Sequence, residues 1–200
     1  SEKPLIRAYC CDCMDLMAGK GDGEYSLAVV DPPYGIKMDG GVTYQRPSRP
    51  NSYGAPPKHK KKAWDSVMPQ GNYFRELHRT CGNQVIFGGN YFTKYLPASM
   101  GWVYWAKMED ASNFSDGELI FTSFQRALKS YRVHQFHGTR GGKDRIHPTQ
   151  KPIRLYLYLL TNYAKPGDTI LDTHGGSFSS AIACWKMGFD LDICEMDEEY

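Results

Sequence analysis

The stretch Ser26-Leu27-Ala28-Val29-Val30-Asp31-Pro32-Pro33-Tyr34-Gly35 constrains this chain more than any other. Leu27 to Val30 are apolar without alternation, so both faces of this strand require cover. That is the pattern of a parallel sheet with helices on each side. The strand then stops at a carboxylate and two prolines, which fix the next two backbone φ angles. A bland account is that Asp31 caps a turn and the prolines end a strand. The chemical account is more specific. Asp31 and the Pro32 carbonyl, which meets no amide at Pro33, make two acceptors aimed at one point. An exocyclic NH2 group offers two donors, and Tyr34 adds a flat face for a base. Accepting both N–H bonds draws the nitrogen out of conjugation and frees its lone pair for attack on a methyl sulfonium.

The rest of the chain repeats the strand-and-helix alternation. Strands are predicted over 6–11, 27–30, 84–92, 101–107, 118–124, 131–138 and 189–197, with a further one inside 167–176. Helices are predicted from Asp12 to Met17, over 71–80, from Pro152 to Ala164, and from Phe178 to Gly188. Proline at Pro152 suits the first turn of a helix. An α/β fold with a mainly parallel sheet and helices on both faces follows. At 200 residues the chain suits a single domain, 1–200. Its 41% hydrophobic and 23% charged residues are ordinary for a globular protein. No apolar run reaches membrane-spanning length, and no signal-peptide pattern opens the chain, so no membrane partner and a cytoplasmic location are expected.

Open α/β sheets bind ligands beyond the carboxyl ends of their strands. Asp12, Asp31, Asp172 to Ser177 and Glu195 all stand at such ends. Gly175 and Gly176 let backbone approach a ligand closely, and Ser177 can cap the following helix. Glu195, at the end of the next strand, stands where nucleotide-binding folds place an acid on ribose hydroxyls. The six cysteines, at 10, 11, 13, 81, 184 and 194, read as reduced thiols. Cys10 to Cys13 are too tightly spaced for a zinc knuckle, and no metal is expected.

A net charge of +2 does not announce a nucleic-acid partner, so that reading rests on local charge. The irregular stretch 36–63 carries Arg46, Arg49, Lys58, Lys60, Lys61 and Lys62. A loop of that length inside a domain is functional or disordered. Its cations suit phosphates and its tyrosines suit stacking. A small target-recognition region is expected over 109–145, with Arg140, Lys143 and Arg145 available for guanine edges or phosphates. A solvated basic run is the competing account.

Asp31 to Gly35 (DPPYG), His147 to Pro152 (HPTQKP), Asp172 to Ser177 (DTHGGS) and Glu195 to Tyr200 (EMDEEY) together resemble the S-adenosylmethionine-dependent amino-methyltransferases of DNA. The catalytic motif precedes the glycine turn, as in the circularly permuted beta group. FGGNYF, GWVYWAK and SDGEL further resemble the small phage and prophage type of DNA N6-adenine methyltransferase. The resemblance runs from Asp12 to Tyr200. It implies a Rossmann-like methyltransferase fold with Asp31, Pro32, Pro33 and Tyr34 as the catalytic motif.

It also implies a cofactor site. Asp12 and Cys13 would lie beside the cofactor adenine. Asp172, Gly175 and Ser177 would surround its methionine part, with His174 and Gly176 in the same turn and Asp31 facing it. Glu195 would hold the ribose. Thr149, Gln150 and Lys151 would border the pocket, although an exposed lysine at a helix start is the rival reading of Lys151. The product would be S-adenosylhomocysteine. The sequence departs from the pattern at Phe178, where many relatives carry a third glycine, and at Thr173-His174, where they carry Pro-Phe. His174 reads better as a satisfied structural histidine than as a catalytic one.

The substrate so implied is an adenine flipped out of DNA, methylated by direct displacement without metal or covalent intermediate. Cytosine N4 needs the same two acceptors, but serine more often replaces the aspartate there. An RNA substrate is a weaker reading, and a catalytically inactive nucleic-acid-binding relative is the alternative from another class. No large recognition domain fits the length, which suggests a short target or help from a second subunit such as a homodimer partner; no partner nuclease can be read. The chain stops at Tyr200, where a helix is expected, so it is either truncated or thin in its last layer.

Overall fold

The computed structural model describes residues 3–36, 65–107, 115–139 and 144–199. In chain order come β1 (Ile6–Cys10), α1 (Cys13–Ala18), β2 (Tyr25–Val30), α2 (Gly71–Thr80), β3 (Cys81–Phe87), β4 (Trp102–Ala106) and β5 (Gly117–Thr122). After these come β6 (Lys129–Arg132), α3 (Ile153–Tyr163), β7 (Thr169–Asp172), α4 (Ser179–Met187) and β8 (Asp190–Glu195). The eight strands form one sheet in the order β1-β8-β7-β2-β3-β5-β4-β6. Every neighbouring pair is parallel except those involving β5, which runs against both β3 and β4.

The unalternating run of β2 has a direct explanation. Leu27 and Val29 face one core with Phe87, Trp105 and the apolar sides of α3 and α4. Ala28 and Val30 face a second core with Met17, Phe74, Leu77 and Phe121. Each such side chain removed from water contributes roughly 1.5–3 kcal/mol, so neither face tolerates a polar residue. In α2 the buried Tyr73, Phe74, Leu77 and Thr80 recur at helical spacing and make one stripe. In α3 the stripe is Leu155, Tyr156, Leu159, Leu160 and Tyr163.

Two elements differ most from expectation, β3 at its start and β6. β3 begins at Cys81 instead of 84, directly off α2, where the Thr80 hydroxyl donates to Glu76 O and closes the helix. Its apolar run ends at Phe87, at the double glycine, as the sequence suggested. Gly88 turns the chain at φ 61, and Gly89–Tyr91 form a 3-10 turn. β6 covers Lys129–Arg132 and not 131–138. It is an edge strand paired only along Val103 to Ala106, and beyond it the amides are taken by turns: His137 N donates to His134 O and Thr139 N to Phe136 O. Among the described residues no helix is long and apolar enough to cross a membrane.

Candidate active site

Parallel pairing brings the carboxyl ends of β1, β8, β7, β2 and β3 side by side. The reversal of β5 then matters. Its first residues pair with the last of β4, Trp105 with Glu118 and Ala106 with Gly117, so Glu118 joins the same edge. Asp31 leaves β2 at this edge, and Lys151 reaches it from the segment before α3.

Lys151 Nζ donates to both carboxylate oxygens of Asp31, at 2.9 and 2.7 Å. It is buried, with 7% of its side chain exposed, so the exposed-lysine reading fails. The Tyr34 hydroxyl lies 2.8 Å from Asp31 Oδ1 and also touches Glu118 Oε1, so its single proton serves two carboxylates. Glu118 sits 3.5 Å from Lys151 and 3.2 Å from Lys107. Two carboxylates and two ammonium groups thus form one nearly buried, charge-balanced cluster. Burial pushes the Asp31 carboxyl above its ordinary range, Lys151 opposes that shift and Glu118 adds to it. For Glu118 burial acts upward too, but Lys151 and Lys107 outweigh it and hold the carboxyl low. Lys151 stays protonated: burial acts against its charge, and the two carboxylates more than offset it.

Tyr34 does not present an open face. Tyr91, 41% exposed, stacks on its ring at 4.8 Å and 15°. Phe92 meets its edge, and a Cβ at Gly88 would lie 2.4 Å from the ring. Gly88 is therefore required twice, for its positive φ and for the contact.

The glycine turn forms a second cluster beside the first. Gly176, at φ 49, donates its amide to Glu195 Oε2 at 2.8 Å, and Glu195 Oε1 accepts from Asp197 N. Cys10 pairs with Glu195 in the sheet, which brings the β1 end alongside. Asp12, exposed, caps α1 by accepting from Met14 N at 2.8 Å. Burial raises the neighbouring Cys13 thiol to about 12, with Asp12 adding to the shift.

Asp172 is fully buried and lies beneath the turn. It accepts from Ser180 Oγ at 2.5 Å and from His174 N at 3.1 Å, tying β7 to α4. Burial raises its carboxyl to about 7. The His174 ring contacts Thr173 Oγ1 at 2.9 Å and the edge of Tyr73, and burial lowers its pKa to about 4. It is a satisfied, neutral histidine, as the sequence suggested. Ser177 Oγ bonds Ser179 Oγ. Phe178 adopts φ 55, a left-handed conformation that glycine would take without strain. A non-glycine residue in this conformation costs about 1–2 kcal/mol. The ring packs against the core formed with α3 and α4 in return.

Thr149 contacts His147 Nδ1 through both its amide and its hydroxyl, and the His147 ring lies within 3.8 Å of a Cβ placed at Gly176. Gln150 Oε1 accepts from Ile146 N, and its carbonyl accepts from Arg145 at 3.4 Å. Arg46, Arg49, Lys58, Lys60, Lys61, Lys62, Arg140 and Lys143 lie outside the described residues. Sequence reading missed Glu118, Lys107, Tyr91 and Tyr73. Glu118 and Lys107 depend on the direction of β5, which no local pattern encodes. Tyr91 was legible as an aromatic just past a strand-end double glycine.

The order and directions of the strands are those of an α/β methyltransferase fold. The sequence model of a DNA methylase family, N6_N4_Mtase, matches residues 104–200. Among solved structures, M1.HpyAVI in its SAM complex superposes with a TM-score of 0.64 at 16% identity, covering 98% of this chain and 96% of that one. PvuII DNA methyltransferase, cytosine-N4-specific, superposes with a TM-score of 0.63 at 13% identity, covering 100% of this chain and 86% of its own.

Proposed function

We propose that this chain is a DNA methyltransferase that moves a methyl group from S-adenosylmethionine to the exocyclic N6 of a flipped adenine. The observation that carries the reading is the placement of Asp31, at the end of β2, beside the glycine turn at the end of β7. The donor set suits the cofactor. Glu195 is a carboxylate suited to vicinal hydroxyls, Asp12 is an exposed carboxylate at the adjacent strand end, and Gly176, at positive φ, has no side chain to keep a ligand from the backbone of the turn. Bound there, the cofactor supplies an electrophilic methyl on sulfur.

The chain's own residues do the rest. Asp31 and the Pro32 carbonyl accept the two N–H bonds of the amino group and aim its lone pair. Attack of that lone pair on the methyl carbon would leave sulfur as the neutral thioether and the nitrogen cationic, and one N–H proton would then be lost, ultimately to bulk solvent. Asp31 stabilises that charge in a site with little water, where such a contact typically contributes a hundred- to thousandfold in rate. The aromatic wall of Tyr34 and Tyr91 offsets part of the few kcal/mol that base flipping costs. The basic residues 46–62, with Arg140, Lys143 and Arg145, hold phosphates.

Cytosine N4 is the second reading, favoured by the likeness to the cytosine-N4-specific PvuII enzyme. Incubation with cofactor and mixed-sequence DNA, followed by nucleoside mass spectrometry, separates the two. N6-methyladenine is the expected product. N4-methylcytosine would overturn the base assignment, and unmodified DNA would overturn the reaction.

A further inference from the structure

Asp31 has too many partners for its role. A carboxylate offers about four acceptor positions. Three are filled here, two by Lys151 and one by Tyr34. An ammonium 2.7 Å from Oδ2 also cancels the negative charge that an amino group turning cationic requires. Lys151 cannot simply retreat, because a buried unpaired ammonium is strongly unfavourable. A second carboxylate is already in place, however. Glu118 Oε1 lies 3.5 Å from Lys151 Nζ, on the other side of the shared Tyr34 hydroxyl, and Lys107 anchors its far oxygen at 3.2 Å.

We propose that Glu118 is a positioning residue that receives the Lys151 ammonium when an amino-bearing base engages Asp31. Lys151 is then a counter-ion exchanged between two carboxylates, not a fixed partner of one. The move is short and leaves the cluster neutral throughout. It frees two acceptor positions on Asp31 and removes the opposing charge as the nitrogen becomes cationic. On product release Lys151 returns, so Asp31 is never left buried and unpaired. The inference rests on amino-group methylation as the chain's reaction.

The test is Glu118→Gln, which keeps size and hydrogen bonding but not charge. Without a second carboxylate, Lys151 stays on Asp31. On DNA that the wild type methylates, kcat is expected to fall about tenfold, less than the roughly hundredfold loss of a directly contacting group. Cofactor affinity should not change. The groups facing Asp31 are Lys151, Glu118 and Tyr34, with Asp172 and Tyr156 acting at longer range. Losing the Glu118 charge removes a neighbour that raises the Asp31 carboxyl, so the acidic limb of the kcat profile should move to lower pH. A purely packing role would lower kcat without that downward move, and a merely electrostatic neighbour would move the limb without the loss of kcat. Glu118→Asp keeps the charge but lengthens the gap, so it should lose part of kcat with its acidic limb in place. It remains a test if E118Q does not fold. Unchanged kcat in either variant, or an acidic limb that stays or rises in E118Q, overturns the exchange. Failure of the wild type to methylate DNA overturns the parent reading instead.

Discussion

Lys151 and Asp31 lie 120 positions apart, yet the lysine donates to both oxygens of the aspartate at 2.9 and 2.7 Å. The contact joins the segment before α3 to the end of β2 and sets the electrostatics of the whole edge. It opposes the burial that raises the Asp31 carboxyl, and so favours the charged form there.

Lys151→Met should therefore destabilise the protein. It leaves Asp31 and Glu118, 17% and 9% exposed at their side chains, facing one another with Lys107 as their remaining cation. Removing one partner of a buried pair typically costs about 3–5 kcal/mol. Urea unfolding at neutral pH measures this. A loss below about 1 kcal/mol, the range of exposed pairs, would mean that the cluster is solvated.

Asp172 and His174 should oppose one another in the pH dependence of stability. Burial raises the Asp172 carboxyl from 3.8 to about 7. The folded state therefore holds a proton that the unfolded chain loses, and stability from this group falls as pH rises through that window. Burial lowers His174 from 6.5 to about 4, so its contribution is present above 6.5 and falls as pH drops. Each slope approaches about 1.4 kcal/mol per pH unit where one proton separates the states. In the wild type they largely cancel between about pH 4.5 and 6.5. His174→Asn should expose a stability that falls with rising pH, and Asp172→Asn one that falls with acidification. Unfolding midpoints across this window test the pair, and slopes of the same sign in both variants would contradict the assignment.

Glu195→Ala should weaken the cofactor before it affects the chemical step. Glu195 sits at the β8 end against the Gly176 amide, whereas Asp31 leaves the end of β2 in the Lys151 cluster. Losing a hydrogen bond made by a charged group costs about 1.5–3 kcal/mol, or a rise in Kd of roughly ten- to a hundredfold. Titration calorimetry should show that rise, and turnover at saturating cofactor should return close to wild type. Lost turnover at unchanged affinity would move Glu195 into the catalytic step.

The lysine run should act on phosphates alone. Replacing Lys58, Lys60, Lys61 and Lys62 with Gln should weaken DNA binding without changing the methylated sequence. If all four engage duplex DNA, the slope of log affinity against log salt becomes shallower by about 3.6. Equal slopes for the two proteins would show the run to be merely solvated.

What could be read from sequence divides along physical lines. The apolar run of β2 dictated burial on both faces, and Asp31 with its prolines marked the strand end, because those constraints are local. The glycine turn and Glu195 were legible for the same reason, and Phe178 flagged a position that the structure shows at φ 55. Glu118 was not legible. Its importance comes from β5 running against its neighbours, which is a property of the sheet and not of the segment. The burial of Lys151 was equally non-local, since a lysine before a helix looks the same whether or not a carboxylate waits across the sheet. β6 was misplaced because edge strands carry weak patterning, and Tyr34 was read as open because its cover, Tyr91, comes from a different strand end.

The most direct test of the central claim is transfer of labelled methyl from S-adenosylmethionine to DNA by wild type and by Asp31→Ala, with cofactor affinity measured on both. The account expects the variant to lose turnover by roughly a hundred- to thousandfold while its cofactor affinity stays nearly intact. A variant that keeps more than about a tenth of wild-type turnover, or that loses cofactor binding and rate together, would contradict the place given to Asp31.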